Sequence, residues 1–142
     1  MSQENVEVVR TVLDLAFVRR DFDAALRLFD AEGVVDWTDS RAPYSGIHRG
    51  HAEIRKAWEG WTDAWDEWNP QIEEAIVVDP ETVVVVTLVH ARGRGSRVPV
   101  ISHGASVWMV RAGKVVRARL HQSKGDALEA LGLSEQDVHA DS

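Results

Sequence analysis

Apolar residues along the first third of the chain recur at helical spacing. Val6, Val9, Leu13, Ala16 and Phe17 fall three or four apart, with Glu7, Arg10 and Asp14 between them. This pattern predicts an amphipathic helix from residue 4 to about 19. Asp21 then supplies an N-cap, and Phe22, Ala25, Leu26 and Phe29 form a second apolar stripe that runs out near Gly33. Val34-Val35-Asp36-Trp37 reads as a short strand, and the turn formers Asp39, Ser40, Pro43 and Gly46 make the next stretch a loop. Beyond Gly50, Ile54, Trp58, Trp61, Trp65 and Trp68 keep to steps of three and four, which predicts a third helix carrying four of the six tryptophans on one side. Asn69-Pro70 is the expected stop, because proline lacks the N–H that would continue the helix.

From Gln71 the period changes to that of strands. Four Val-, Ile- and Thr-rich segments, 72–78, 82–92, 98–110 and 114–122, are separated by Asp79-Pro80, Gly93-Arg94-Gly95-Ser96 and Ala112-Gly113, each suited to a hairpin turn. A short closing helix over 126–131 is stopped by Gly132. Helices first and an antiparallel meander second argue for an α+β fold. Neither repeats nor a composition break mark a second domain, so residues 1–142 read as one domain with an ordered core over about 4–133 and a tail at 134–142. Val83 to Val86 and Val107 to Val110 are apolar at every position, which implies burial on both sheet faces. Helices cover one face, and a second copy of the chain in a homodimer would cover the other.

Charge narrows the partners. Sixteen Lys and Arg against 23 Asp and Glu leave a net charge of −7, which disfavours nucleic acid and anionic membranes. The chain has no cysteine, and its polar N-terminal residues 1–5 show no signal peptide, so a cytoplasmic location is expected. No segment reaches the roughly 20 apolar residues of a membrane span.

Several strings, in order, resemble the SnoaL-like proteins of the nuclear transport factor two-like superfamily. They are the segments 21–29, 34–37, 46–55, 107–116 and 127–133, from Asp21-Phe22-Asp23 to Leu131-Gly132-Leu133. The resemblance implies a cone: a strongly curved sheet wrapped around three N-terminal helices, closing on an apolar pocket, with dimers through the outer sheet face. Members include ketosteroid isomerases, polyketide cyclases, dehydratases and epoxide hydrolases beside binding domains, so the fold leaves function open. The isomerase-like base and acidic oxyanion donor align with Trp37 and Ala105, and the helical tyrosine with a stretch near 12–17 that has none. The carboxylates that epoxide hydrolases place across the pocket have no counterpart in 82–92 or 98–110. Asp36 lies one residue from the isomerase base position.

Histidine titrates near neutral pH, which makes the strand histidines the natural acid–base candidates. His48, His51 and His139 fall in loop, helix-start and tail positions, where solvent exposure is expected. Alternation groups His103 with Ile101, Ala105, Val107 and Met109, the parity that the resemblance turns toward the pocket, and groups Gln122 with Ala118 and Leu120. A bulge would bring His121 inward in place of Gln122. No HxH, HxxxH or HExxH spacing points to a metal, and no cofactor is implied. Ser102 and His103 are neighbours on opposite strand faces and make no triad. Two functions fit these residues. One is a small-molecule-binding domain for a hydrophobic ligand, walled by Trp37, Trp58, Trp61 and Ala105 and oriented by His103, Gln122 and Tyr44. The other is an enzyme of the isomerase, cyclase or dehydratase type using His103 or Asp36 as base.

Overall fold

The computed structural model describes residues 2–39 and 46–134, so Tyr44 and His139 lie outside the described residues. Helix α1 (Ser2–Leu13) runs into a π-helical turn at Asp14–Val18 and is followed by α2 (Phe22–Leu26), β1 (Phe29–Asp36) and β2 (Ile47–Arg49). Helix α3 (His51–Asp63) precedes the meander β3 (Trp65–Asp79), β4 (Thr82–Gly93), β5 (Pro99–Arg111) and β6 (Lys114–His121), and α4 (Lys124–Ala130) closes the chain. The six strands form one sheet in the order β2-β1-β6-β5-β4-β3. All neighbours are antiparallel except β1 and β6, which pair in parallel. This is the expected α+β cone, with a mixed, unclosed sheet.

Asp21 caps α2 by accepting from the Ala24 N–H, as its sequence position suggests. The second helix is shorter than its apolar stripe, however. Phe29 already belongs to β1, and Gly33 lies within that strand rather than ending the helix. A register shift separates Phe29 from Val34 against β6. A Cβ on Gly33 would sit 3.0 Å from the Asp30 carbonyl and 3.2 Å from that of Val115, so only glycine lets the two backbones approach there.

The third helix differs more. It ends at Asp63, and Trp65 and Trp68 open β3, where Trp68 pairs with Ala91 and Pro70 with Val89. Because β3 is the sheet edge, Pro70 is tolerated inside it, where a central strand would require its missing N–H. Trp58 and Trp61 remain on the helix.

Two apolar layers hold the sheet. On the inner face, Val9, Val12 and Ala16 of α1 and its extension meet Ile54 and Trp58 of α3 and, from the sheet, Val83, Val85, Trp108 and Val110. On the outer face, Ala127 and Leu128 of α4 cover Val84, Ala105 and Val107. Part of the double-sided burial read from the valine run is therefore supplied by the chain's own last helix. Val86 and Leu88, further along β4, stay half-buried, and Ile101 of β5 is exposed. Among the described residues no helix is long and apolar enough to cross a membrane.

Candidate functional site

The inner face of β3, β4 and β5 outruns the helices toward the Trp65 end, and the space left between them is a cavity of about 540 Å³. Its floor is Thr87 and Val89 of β4 with Ser102, Gly104, Ser106 and Trp108 of β5. Leu13 and Phe17 close it from the first helix, and Trp37, Trp61, Trp65 and Trp68 form an aromatic wall. The four indoles pack on one another. Trp61 meets Trp68 edge-on at 4.8 Å between ring centroids, Trp65 lies 4.9 Å from Trp68, and Trp37 lies 6.1 Å from Trp61. Trp58 stands behind this wall, buried against Phe17, Phe22 and Phe29.

Among the described lining residues there is no carboxylate. The polar groups are few and mostly engaged internally: Ser106 Oγ accepts from Trp108 Nε1 at 2.7 Å. Two indole and imidazole nitrogens differ. Trp65 Nε1 and His121 Nε2 are buried with no hydrogen-bond partner among the described residues.

The alternation of β5 is the reverse of the expected one. Ser102, Ser106, Trp108 and Val110 face inward, while Ala105 and Val107 pack under α4 on the outer face. His103 follows Ala105. It still borders the cavity, with its side chain 68% exposed and its Nδ1 3.1 Å from Glu73 Oε1. The parity expected of β6 holds beyond its start, because Val116 is the extra residue where the register shifts between Met109 and Val110; Ala118 and Leu120 then face the helices. The isomerase comparison carried the wrong phase into β5, where sequence alone offers no second marker of facing.

Asp36 is buried on the outer side, opposite Val35 and Trp37 in alternation. Arg117 Nη2 donates to its Oδ2 at 2.9 Å, and Thr38 donates to Oδ1 through its backbone N–H and its hydroxyl. Burial pushes the Asp36 carboxyl up, but the Thr38 hydrogen bonds together with Arg119 and Arg117 bring it below the ordinary carboxylate value. Asp36 is thus a held anion and lies away from the cavity lining.

At the end of β6, His121 borders two spaces: the apolar cavity and an open polar cleft lined by Asp39, Arg119, Asp126 and Glu129. Its ring is buried, with Nδ1 3.8 Å from Asp39 Oδ2. Burial and then the Arg119 charge lower its pKa below 6.5; Asp39, Asp126 and Asp36 oppose the shift without reversing it. Gln122 borders the same two spaces and donates to the Asp39 carbonyl. No group of three His, Cys, Asp or Glu side chains suited to a metal occurs among the described residues.

Comparisons with known proteins agree with this architecture. The family model described as a SnoaL-like domain matches residues 9–118. No curated protein sequence matches the chain. Among solved structures, a nuclear transport factor two-like protein of unknown function from Burkholderia pseudomallei superposes with a TM-score of 0.74 at 21% identity, covering 95% of this chain and 99% of that one. TerC, co-crystallized with polyporic acid, gives a TM-score of 0.72 at 16% identity over 84% of this chain and 92% of its own. A protein of ketosteroid isomerase-like fold from Catenulispora acidiphila, in complex with trimethylamine, gives 0.71 at 16% identity over 89% and 93%.

Proposed function

Because the chain belongs to the SnoaL-like domain family, we propose that it is a small-molecule-binding domain whose tryptophan-walled cavity holds a hydrophobic, ring-containing ligand. The observation that carries the reading is the composition of that cavity. A space of about 540 Å³ lies within the range of small-molecule pockets, and its described walls combine five indoles and several aliphatic side chains with two imidazoles and a handful of hydroxyl and amide groups. TerC supports the reading as a protein of this fold crystallized with a small molecule. Burying a flat apolar ligand against such walls is favourable by about 25 cal/mol per Å² of apolar surface removed from water.

The enzyme reading has one observation in its favour, the buried imidazole of His121 at the cavity border. General acid–base chemistry commonly needs a second positioned group, and the described lining offers no carboxylate to serve. Binding is therefore the preferred function.

Fluorene, a rigid three-ring hydrocarbon, tests it. Titration followed by tryptophan fluorescence is expected to show saturable binding that Trp61→Ala weakens at least about tenfold, the loss of an aromatic wall. Binding that is non-saturable or indifferent to Trp61→Ala would remove the proposal.

A further inference from the structure

Gly104 lies on the inner face of β5, where it lines the cavity and pairs with Thr87 of β4. A glycine inside a strand weakens it, so its presence calls for a local reason. Two ordinary reasons are missing here. Gly104 is not among the glycines with positive φ, so its backbone suits any residue. Nor do backbone oxygens press on it as they do on Gly33. Among the described residues beyond its chain neighbours, a Cβ at Gly104 would meet one atom within 4 Å, Thr87 Oγ1 at an ordinary contact distance of 3.5 Å. What the missing side chain leaves is room, and that room belongs to the cavity of about 540 Å³.

The position of this room gives a ligand a direction. Along the inner row of β5, exposure falls from Ser102, which is exposed, through half-buried Gly104 and Ser106 to buried Trp108. The other exposed polar residues of the described lining are His103 and Gln122, whereas buried Leu13, Trp37 and Val89 join Trp108 in making the deeper walls apolar. The cavity therefore runs from a polar rim to an apolar interior. Gly104 stands on its floor between the two.

We infer that Gly104 is the specificity-determining residue of the cavity: its bare backbone lets a flat fused-ring compound lie along β5, apolar end toward Trp108 and polar substituent at the rim of Ser102, His103 and Gln122. This rests on the proposed binding function and specifies the ligand class and its orientation. The polar end stays hydrated or meets the rim groups, so burying the rings does not strip it of hydrogen bonds. The apolar end gains by leaving water. A side chain at position 104 would occupy the place of the rings, because a close-packed contact cannot absorb added carbons without strain.

The test is a tryptophan-fluorescence titration of the wild-type protein, Gly104→Ala and Gly104→Val. The probes are fluorene and two isomers, 2-(hydroxymethyl)fluorene, substituted at one end, and 9-(hydroxymethyl)fluorene, substituted in the middle. Gly104→Ala is expected to weaken fluorene binding at least about fivefold, and Gly104→Val at least about fiftyfold. Both variants should keep or raise the thermal midpoint, since each replaces a glycine whose backbone conformation other residues adopt. The wild type should prefer the 2-isomer at least about fivefold, because the 9-isomer carries its hydroxyl away from the rim. If both variants bind fluorene as the wild type does, or lose it only together with the thermal midpoint, Gly104 is not the determinant and the binding function stands. Should Gly104→Val fail to fold, Gly104→Ala decides alone. Isomers bound equally, or a preference for the 9-isomer, overturn the orientation. If the wild type does not bind fluorene, the binding function falls, and the assignment of Gly104 with it.

Discussion

Trp58 and Trp61 are three residues apart on one helix face, yet the structure gives them different work. Trp58 is 2% exposed and packs against three phenylalanines, whereas Trp61 is half-buried and forms cavity wall. Trp58→Ala is therefore expected to destabilise by about 3–5 kcal/mol in chemical denaturation. Trp61→Ala should cost clearly less stability and show its main effect in binding. Equal stability losses would mean that the cavity collapses around either ring. Asp36 provides a second residue-level test. Its pKa is lowered in the fold, so its contribution is present above the ordinary carboxylate value of 3.8 and is lost as pH falls through the folded value. Asp36→Asn, which cannot hold the charge facing Arg117 and Arg119, should lower stability at pH 7 by about 1–3 kcal/mol, with the difference vanishing in acid. A difference that persists at pH 2 would point to packing instead. His121 has the same sign for a different reason: burial keeps it neutral. Stability linked to it is complete above about 6.5 and is lost as pH falls toward its lower folded pKa, because the unfolded chain takes up the proton first. His121→Phe should flatten the stability profile just below pH 6.5, measured by denaturant titration across pH.

At the scale of elements, the amphipathic first helix, the cap of α2, the meander and its turns were legible in the sequence, because each depends on local periodicity and local turn chemistry. The boundary of α3 was not. Tryptophans at steps of three and four continue across Asp63 into β3, and the strand wins because Trp65 to Pro70 pair with β4 from Gly93 to Val89, a long-range interaction that helical spacing cannot register. Pro70 marked a helix stop in sequence and turned out to mark an edge strand, which also tolerates a missing N–H. The site was legible only in outline. Trp37, Trp61, His103 and the pair at 121–122 were recognisable as lining, but the facing of β5 depends on which parity α4 covers, and an error of one residue put Ala105 in place of Ser102 and Ser106. Trp65 escaped notice as a polar group because the lack of a partner for its indole N–H is visible only in three dimensions. An element-level test follows from Gly33. Gly33→Val should disturb the β1–β6 pairing and destabilise the fold, because its Cβ would meet backbone oxygen atoms at 3.0 and 3.2 Å that cannot rotate away. Unchanged stability and hydrogen exchange at Val34 and Val35 would show that the strands separate at little cost.

For the whole molecule, the outer sheet face and the cavity are separate surfaces with separate expectations. Helix α4 covers Val84, Ala105 and Val107, and the half-buried Val86 and Leu88 with the exposed Ile101 continue the apolar surface beyond it. We propose that a second copy of the chain covers this remainder. Sedimentation equilibrium at micromolar concentration is then expected to show a homodimer that Ile101→Lys weakens, and a monomer in both proteins would dismiss it. The central claim concerns the cavity and has a more direct test: a nitrogen–proton NMR titration of the protein with fluorene. Perturbed signals are expected to cluster at Thr87, Val89 and Gly104 and at the indole groups of Trp61, Trp65 and Trp68, all on the inner face. Perturbations confined to Leu88 and Ile101, or no saturable change at all, would contradict a ligand site inside the cone.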